Sequence, residues 1–84
     1  MKPIRLSGHA KEQCFFRGTT EEEVIETIKT SYWQPAELGK LECKKNFAFE
    51  NEWNKKYYKT KQVRPIFVEE DIEIVVITIY TYYF

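Results

Sequence analysis

Histidine occurs once in this 84-residue chain, cysteine twice and glycine three times, and these shortages remove several chemistries at once. Cys14 and Cys43 have no CxxC spacing, and no cluster of Asp, Glu or His shows ligand spacing, so no metal is expected. Two cysteines are too few to staple a small secreted domain, and both are expected as buried thiols in a reducing cytoplasm. Three scattered glycines make no phosphate-cradling loop, so no nucleotide cofactor is expected. Net charge is absent too: thirteen basic residues balance thirteen acidic ones, leaving no whole-molecule field to attract nucleic acid or an anionic membrane. No apolar run approaches the roughly 18 residues of a membrane span, and the first residues do not resemble a signal peptide. A soluble cytoplasmic protein without membrane partners is expected.

What the chain has is aromatic residues, 17% of the total, each able to bury about 150 to 250 Å². A chain of this length supports one core, so residues 1–84 are expected to form a single domain. Its charge is also unevenly placed: residues 40–64 carry a net +5, flanked by −1 before them and −4 after.

Local signals predict the elements. Pro3 to Leu6 is a short edge strand, and Ser7 caps a helix from Gly8 to Arg17. Gly18 suits a left-handed helix end, and Thr20 with Glu23 forms a capping box for a second helix ending near Thr30. Glu21, Glu22 and Glu23 favour the positive end of its dipole, while Val24, Ile25 and Ile28 form its apolar stripe. Ser31 to Gly39 is a loop whose Tyr32 and Trp33 fold back over the core. Strands follow over Leu41 to Phe49, Tyr57 to Glu69 and Ile72 to Phe84, separated by turns at Asn51 to Lys55 and at Glu70 and Asp71. The order is βααβββ, an α+β fold with two helices on one face of an antiparallel sheet.

A two-residue turn at Glu70 and Asp71 sets Lys61 opposite Tyr80 and Lys59 opposite Tyr82 on the open face. Ile66, Val68, Val75, Ile77 and Ile79 then lie under the helices, with Arg64 among them. Pro65, which lacks a ladder donor, marks a place where a bulge would reverse this parity. Lysines interleaved with tyrosines suit single-stranded nucleic acid, ammonium groups meeting phosphates and rings stacking on bases. The same residues also fit ordinary cross-strand pairs or a homodimer interface. His9 shares a helix side with Gln13 and Arg17, which could place an imidazole for proton transfer and a guanidinium for phosphate; capping and dipole roles explain the same residues. Arg64 on the helix face would take Glu21 or Glu12 as its carboxylate partner.

HAKEQCFFRGTTEEEVIETI and VRPIFVEEDIEIVVITIYTYYF resemble a bacterial and cyanobacterial family defined as a domain of unknown function. His9, Ala10, Arg17, Gly18 and Glu21 to Glu23 match its pattern, and the resemblance covers essentially the whole chain. That family is similar in turn to the RelE/ParE and BrnT toxins, small βααβββ proteins that in many cases cleave mRNA without a metal and are neutralised by an antitoxin. The resemblance implies RNA or the ribosome as target and an antitoxin-like protein as partner. It makes His9, Lys61 and Tyr80 the catalytic candidates, and Arg17, Lys59, Arg64 and Tyr82 the substrate-binding ones. Such toxins carry Arg or Lys on or after their last strands, whereas this chain has no basic residue after Arg64. The alternative is a non-catalytic module that dimerises or binds a partner through its aromatic C-terminal strand.

Overall fold

Short-range hydrogen bonds set both helices at the expected ends. In the computed structural model, which describes residues 1–84, β1 (Ile4–Leu6) leads into α1 (Gly8–Arg17). Ser7 Oγ accepts from the Ala10 amide at 3.1 Å, and Gly18 ends the helix in the left-handed region at φ 74°. The helix α2 (Glu21–Thr30) opens with a complete capping box, in which Thr20 Oγ1 accepts from the Glu23 amide and Glu23 Oε1 accepts from the Thr20 amide. These bonds satisfy donors that the first helical turn cannot pair internally.

The strands β2 (Gln34–Pro35), β3 (Leu41–Glu42), β4 (Lys45–Trp53), β5 (Lys56–Glu69) and β6 (Ile74–Tyr83) follow. β5 is the spine. It pairs antiparallel with β6 on one side and with β3 and β4 in succession on the other; β1 joins β6 in parallel, and β2 joins β3. The α+β class holds, with both helices packed against a mostly antiparallel sheet. The βααβββ order is incomplete: the strand expected over Leu41 to Phe49 is broken at Cys43 and Lys44 into β3 and β4, and β2, two residues long, lies within the expected Ser31 to Gly39 loop.

The core joins Ala10 and Cys14 of α1, Val24 and Ile28 of α2, and Val63, Phe67, Ile74, Val76 and Ile79 of the sheet. Trp33 covers its end, stacking edge-on against Phe67 and donating its indole N–H to the Ile28 carbonyl. Tyr32 does not fold back; it is 89% exposed. No helix is long and apolar enough to cross a membrane.

The helix-facing side of the β5–β6 hairpin differs from expectation. Val63 and Phe67, rather than Ile66 and Val68, lie in the core, which puts Lys61 beneath the helices and Arg64 on the open face. One feature causes this: Ile77 is an extra residue on β6 opposite the Ile66–Phe67 step, which exchanges the faces beyond it. The connection, a four-residue turn closed by Glu70 N–H to the Glu73 carbonyl, moves the pairing by two residues and leaves the faces unchanged. The bulge therefore lies next to Pro65, at the neighbouring Ile66 step. Since Ile74 to Ile79 is apolar at almost every position, alternation there could not choose a face.

Candidate functional site

The registers arrange the open face as rows. Gln34, Glu42, Ile66 and Thr78 lie side by side across β2, β3, β5 and β6; Arg64 and Tyr80 form the next row, then Asn46, Gln62 and Tyr82. Cys43 and Lys44 interrupt the strand beside β5, so the second row lacks a third member and the surface is hollowed there.

Tyr80 is the centre of this face. The guanidinium of Arg17, from the end of α1, lies 5.7 Å from its ring centroid, and that of Arg64 lies 5.6 Å away. Both distances suit attraction of a cation to an aromatic ring. Arg17 is steadied by a 2.9 Å bond from its Nε to Gln13 Oε1. Arg64 Nε donates to Glu42 Oε2, and its Nη1 donates to Tyr82 Oη at 3.2 Å. The Glu42 hydrogen bond, with support from Tyr82, raises the Arg64 pKa further and keeps its charge. Glu42, not Glu21 or Glu12, is thus the partner of Arg64, because the β3–β5 register brings it there. A strand with no basic residue of its own receives two guanidinium groups from its neighbours.

His9 stands at the margin of the same face. Its Nε2 is 3.3 Å from Thr78 Oγ1, which it reaches because β1 pairs with β6 only as far as Val76. Lys40 and Lys44 line the hollows on either side of the Arg64–Glu42 pair. Arg64, Lys40 and Lys44 line these hollows together with Glu37 and Glu42, and Arg17 adds a fourth cation beside Tyr80.

Of the residues singled out from the sequence, the structure gathers His9, Arg17, Arg64, Tyr80 and Tyr82 and separates the two lysines. Lys61 is 6% exposed; its Nζ donates to Glu23 Oε1 at 2.8 Å and to the Gly18 carbonyl at 2.9 Å on the helix side. Lys61 pairs with Tyr83 rather than Tyr80. Lys59 is exposed further along β5, beyond the row of Gln62 and Tyr82. Glu42, Gln34, Lys44 and Gln62 complete the site without any local motif to mark them. One signal existed for Glu42, since an arginine set among apolar strand residues requires a carboxylate, but finding which one needs the strand register.

Nowhere do three His, Cys, Asp or Glu side chains come together in a metal-binding group. The arrangement can bind a phosphodiester through two guanidinium groups, stack a base on a tyrosine and exchange a proton through an imidazole. The chain matches no protein-family model, no curated protein and no solved structure.

Proposed function

We propose that the open face of β5 and β6 binds single-stranded RNA and cleaves it beside Tyr80. The observation that carries this reading is the pair of guanidinium groups, from Arg17 and Arg64, flanking one exposed tyrosine ring. A phosphate held by both arginines lies near Thr78 and His9, because alternate residues of a strand are about 7 Å apart along one face. His9 takes the proton of the adjacent 2′-hydroxyl, the 2′ oxygen attacks phosphorus, and the bond to the 5′ oxygen breaks. Tyr80 gives that leaving oxygen its proton and regains one from solvent, leaving a 2′,3′-cyclic phosphate and a 5′-hydroxyl. The arginines offset charge gathering on the phosphoryl oxygens. The resemblance to RelE/ParE and BrnT toxins, and the ribosome-bound message and antitoxin it implies, agree with this chemistry and are part of the proposal.

Adding the purified protein to a cell-free translation reaction, and following mRNA integrity and protein synthesis together, tests it. Cleavage is expected, lost in His9→Ala with RNA binding kept, and lost together with binding in an Arg17→Ala/Arg64→Ala double variant. Intact message with salt-sensitive RNA binding would remove the catalytic half; intact message without binding would sink the proposal.

The β6 edge favours a second reading as a non-catalytic protein-binding module. Beyond Val76 no strand pairs with the outer side of β6, and Ile77 to Phe84 has no charged side chain that would discourage a partner strand. Phe15 and Phe16 of α1 are also 82% and 67% exposed. Sedimentation across a range of concentrations tests this reading, which expects a dimer that a Thr81→Lys substitution disperses; a monomer at every concentration would count against self-pairing.

A further inference from the structure

The hollow beside Arg64 has features that phosphate binding does not use. It encloses about 460 Å³, within the range of roughly 300 to 1,000 Å³ typical of small-ligand sites. Tyr32 and Tyr82 give it aromatic walls, and Gln34, Glu42, Lys44 and Gln62 line it with polar groups. Tyr32 is 89% exposed and stacks on no other ring.

The hydrogen bonds already made show what remains free. Gln62 donates its amide to Asn46 Oδ1 at 2.9 Å, which leaves Gln62 Oε1 as an acceptor. Glu42 spends Oε2 on Arg64 and keeps Oε1. Lys44 makes no side-chain hydrogen bond or ion pair and is a free donor beside them. Gln62 Oε1 and Glu42 Oε1 are thus open acceptors and Lys44 an open donor in one aromatic-walled hollow, with the unpaired amide of Gln34 beside them able to donate or accept. Among the four RNA bases, only guanine presents two adjacent donors, N1–H and the N2 amine, with an acceptor, O6, next to them.

Resting on the RNA reading above, we propose that this hollow takes an unpaired guanine of the bound strand. The base stacks between Tyr32 and Tyr82, gives N1–H and N2–H to Glu42 and Gln62, and accepts at O6 from Lys44. Its own phosphate lies toward Arg64, which borders both the hollow and the Tyr80 site. Adenine, cytosine and uracil each leave one of the two acceptors facing another acceptor or nothing, which gives the site its preference.

The test measures equilibrium binding of four uridine-rich octanucleotides that differ at one central position: guanosine, adenosine, cytidine or inosine. The octanucleotides carry a 2′-O-methyl backbone so that cleavage does not intervene. Guanosine is expected to bind about tenfold more tightly than adenosine or cytidine, the discrimination of one bidentate base contact. Inosine, which lacks only the N2 amine, should fall between them. Tyr32→Ala should weaken the guanosine strand severalfold without disturbing the fold, and Gln62→Leu should close the gap between guanosine and inosine. Equal, salt-sensitive affinity for all four strands would overturn the guanine pocket and leave RNA binding standing. Absence of binding to any strand would overturn both. Free guanosine 5′-monophosphate binding as tightly as the octanucleotide would overturn the assignment to RNA and make the pocket a nucleotide site.

Discussion

Lys61 of β5 reaches under the helices to Glu23 of α2, their side chains 2.8 Å apart and the lysine almost wholly buried. The same ammonium donates to the Gly18 carbonyl, while Glu23 Oε1 also accepts from Thr19 Oγ1 and the Thr20 amide. One lysine therefore ties the sheet to the bend between α1 and α2. The helix cap and the ion pair share a single carboxylate.

Removing that lysine should cost stability and not RNA affinity. Lys61→Met leaves Glu23 half-buried without its cation, and a loss of about 3 kcal/mol is expected in urea unfolding, the lower end for a broken buried pair. Unchanged affinity in the same variant would confirm that Lys61 lies outside the binding face. A variant as stable as the parent would refute the structural role.

Acid should act through the same pair. Burial alone would raise the Glu23 pKa, but the hydrogen bonds from Lys61 and Thr19 outweigh it and hold the carboxyl below its ordinary value of 4.5. A depressed carboxylate contributes stability that is fully present above that value and is lost as the pH falls through the folded pKa. Glu23→Gln should accordingly flatten the fall in stability below pH 4.5, measured by thermal melts across an acid series. An acid profile parallel to the parent's would rule Glu23 out as its source.

Gly18 has no room for a side chain. A Cβ there would stand 2.5 Å from the Trp53 ring and 2.6 Å from Tyr83 Oη, at a φ of +74°. Gly18→Ala should lose at least about 2 kcal/mol from strain and overpacking together. Fluorescence of Trp53, which stacks on Tyr83 at 4.8 Å, should shift in step with that loss.

A gain is expected at the other hairpin. Trp53 pairs with Lys56 across Asn54 and Lys55, both with positive φ, at 52° and 69°. That is the geometry of a two-residue turn preferring Asn-Gly, so Lys55→Gly should raise stability by about 0.5 to 1 kcal/mol. A fall in melting temperature would show that the Lys55 side chain contributes more than its backbone strain costs.

Each arginine beside Tyr80 should register in the salt dependence of RNA binding. Neutralising one phosphate contact lowers the slope of log affinity against log salt by about 0.7 for a single strand. Arg17→Gln suits the measurement, since Tyr83 and Thr81 bond to the Arg17 main-chain carbonyl, which the substitution keeps. Slopes identical in Arg17→Gln, Arg64→Gln and the parent would remove both residues from the phosphate site.

Residue order alone was enough for the helices, their caps, the α+β class and the place of Tyr80 and Tyr82 on the open face, because those features are encoded within a few neighbouring positions. A capping box needs four residues, and an amphipathic stripe needs two turns. Which face of β5 meets the helices was decided elsewhere, by one extra residue at Ile77. Strand periodicity has a period of two, so a single inserted residue exchanges the faces, and a nearly all-apolar stretch such as Ile74 to Ile79 hides the exchange. For the same reason Lys61 became a buried strut and Arg64 a surface cation. The convergence of Arg17, Arg64 and Glu42 around Tyr80 and Tyr82 depends on three strand registers and a helix end meeting in space, and only the tertiary structure could decide it.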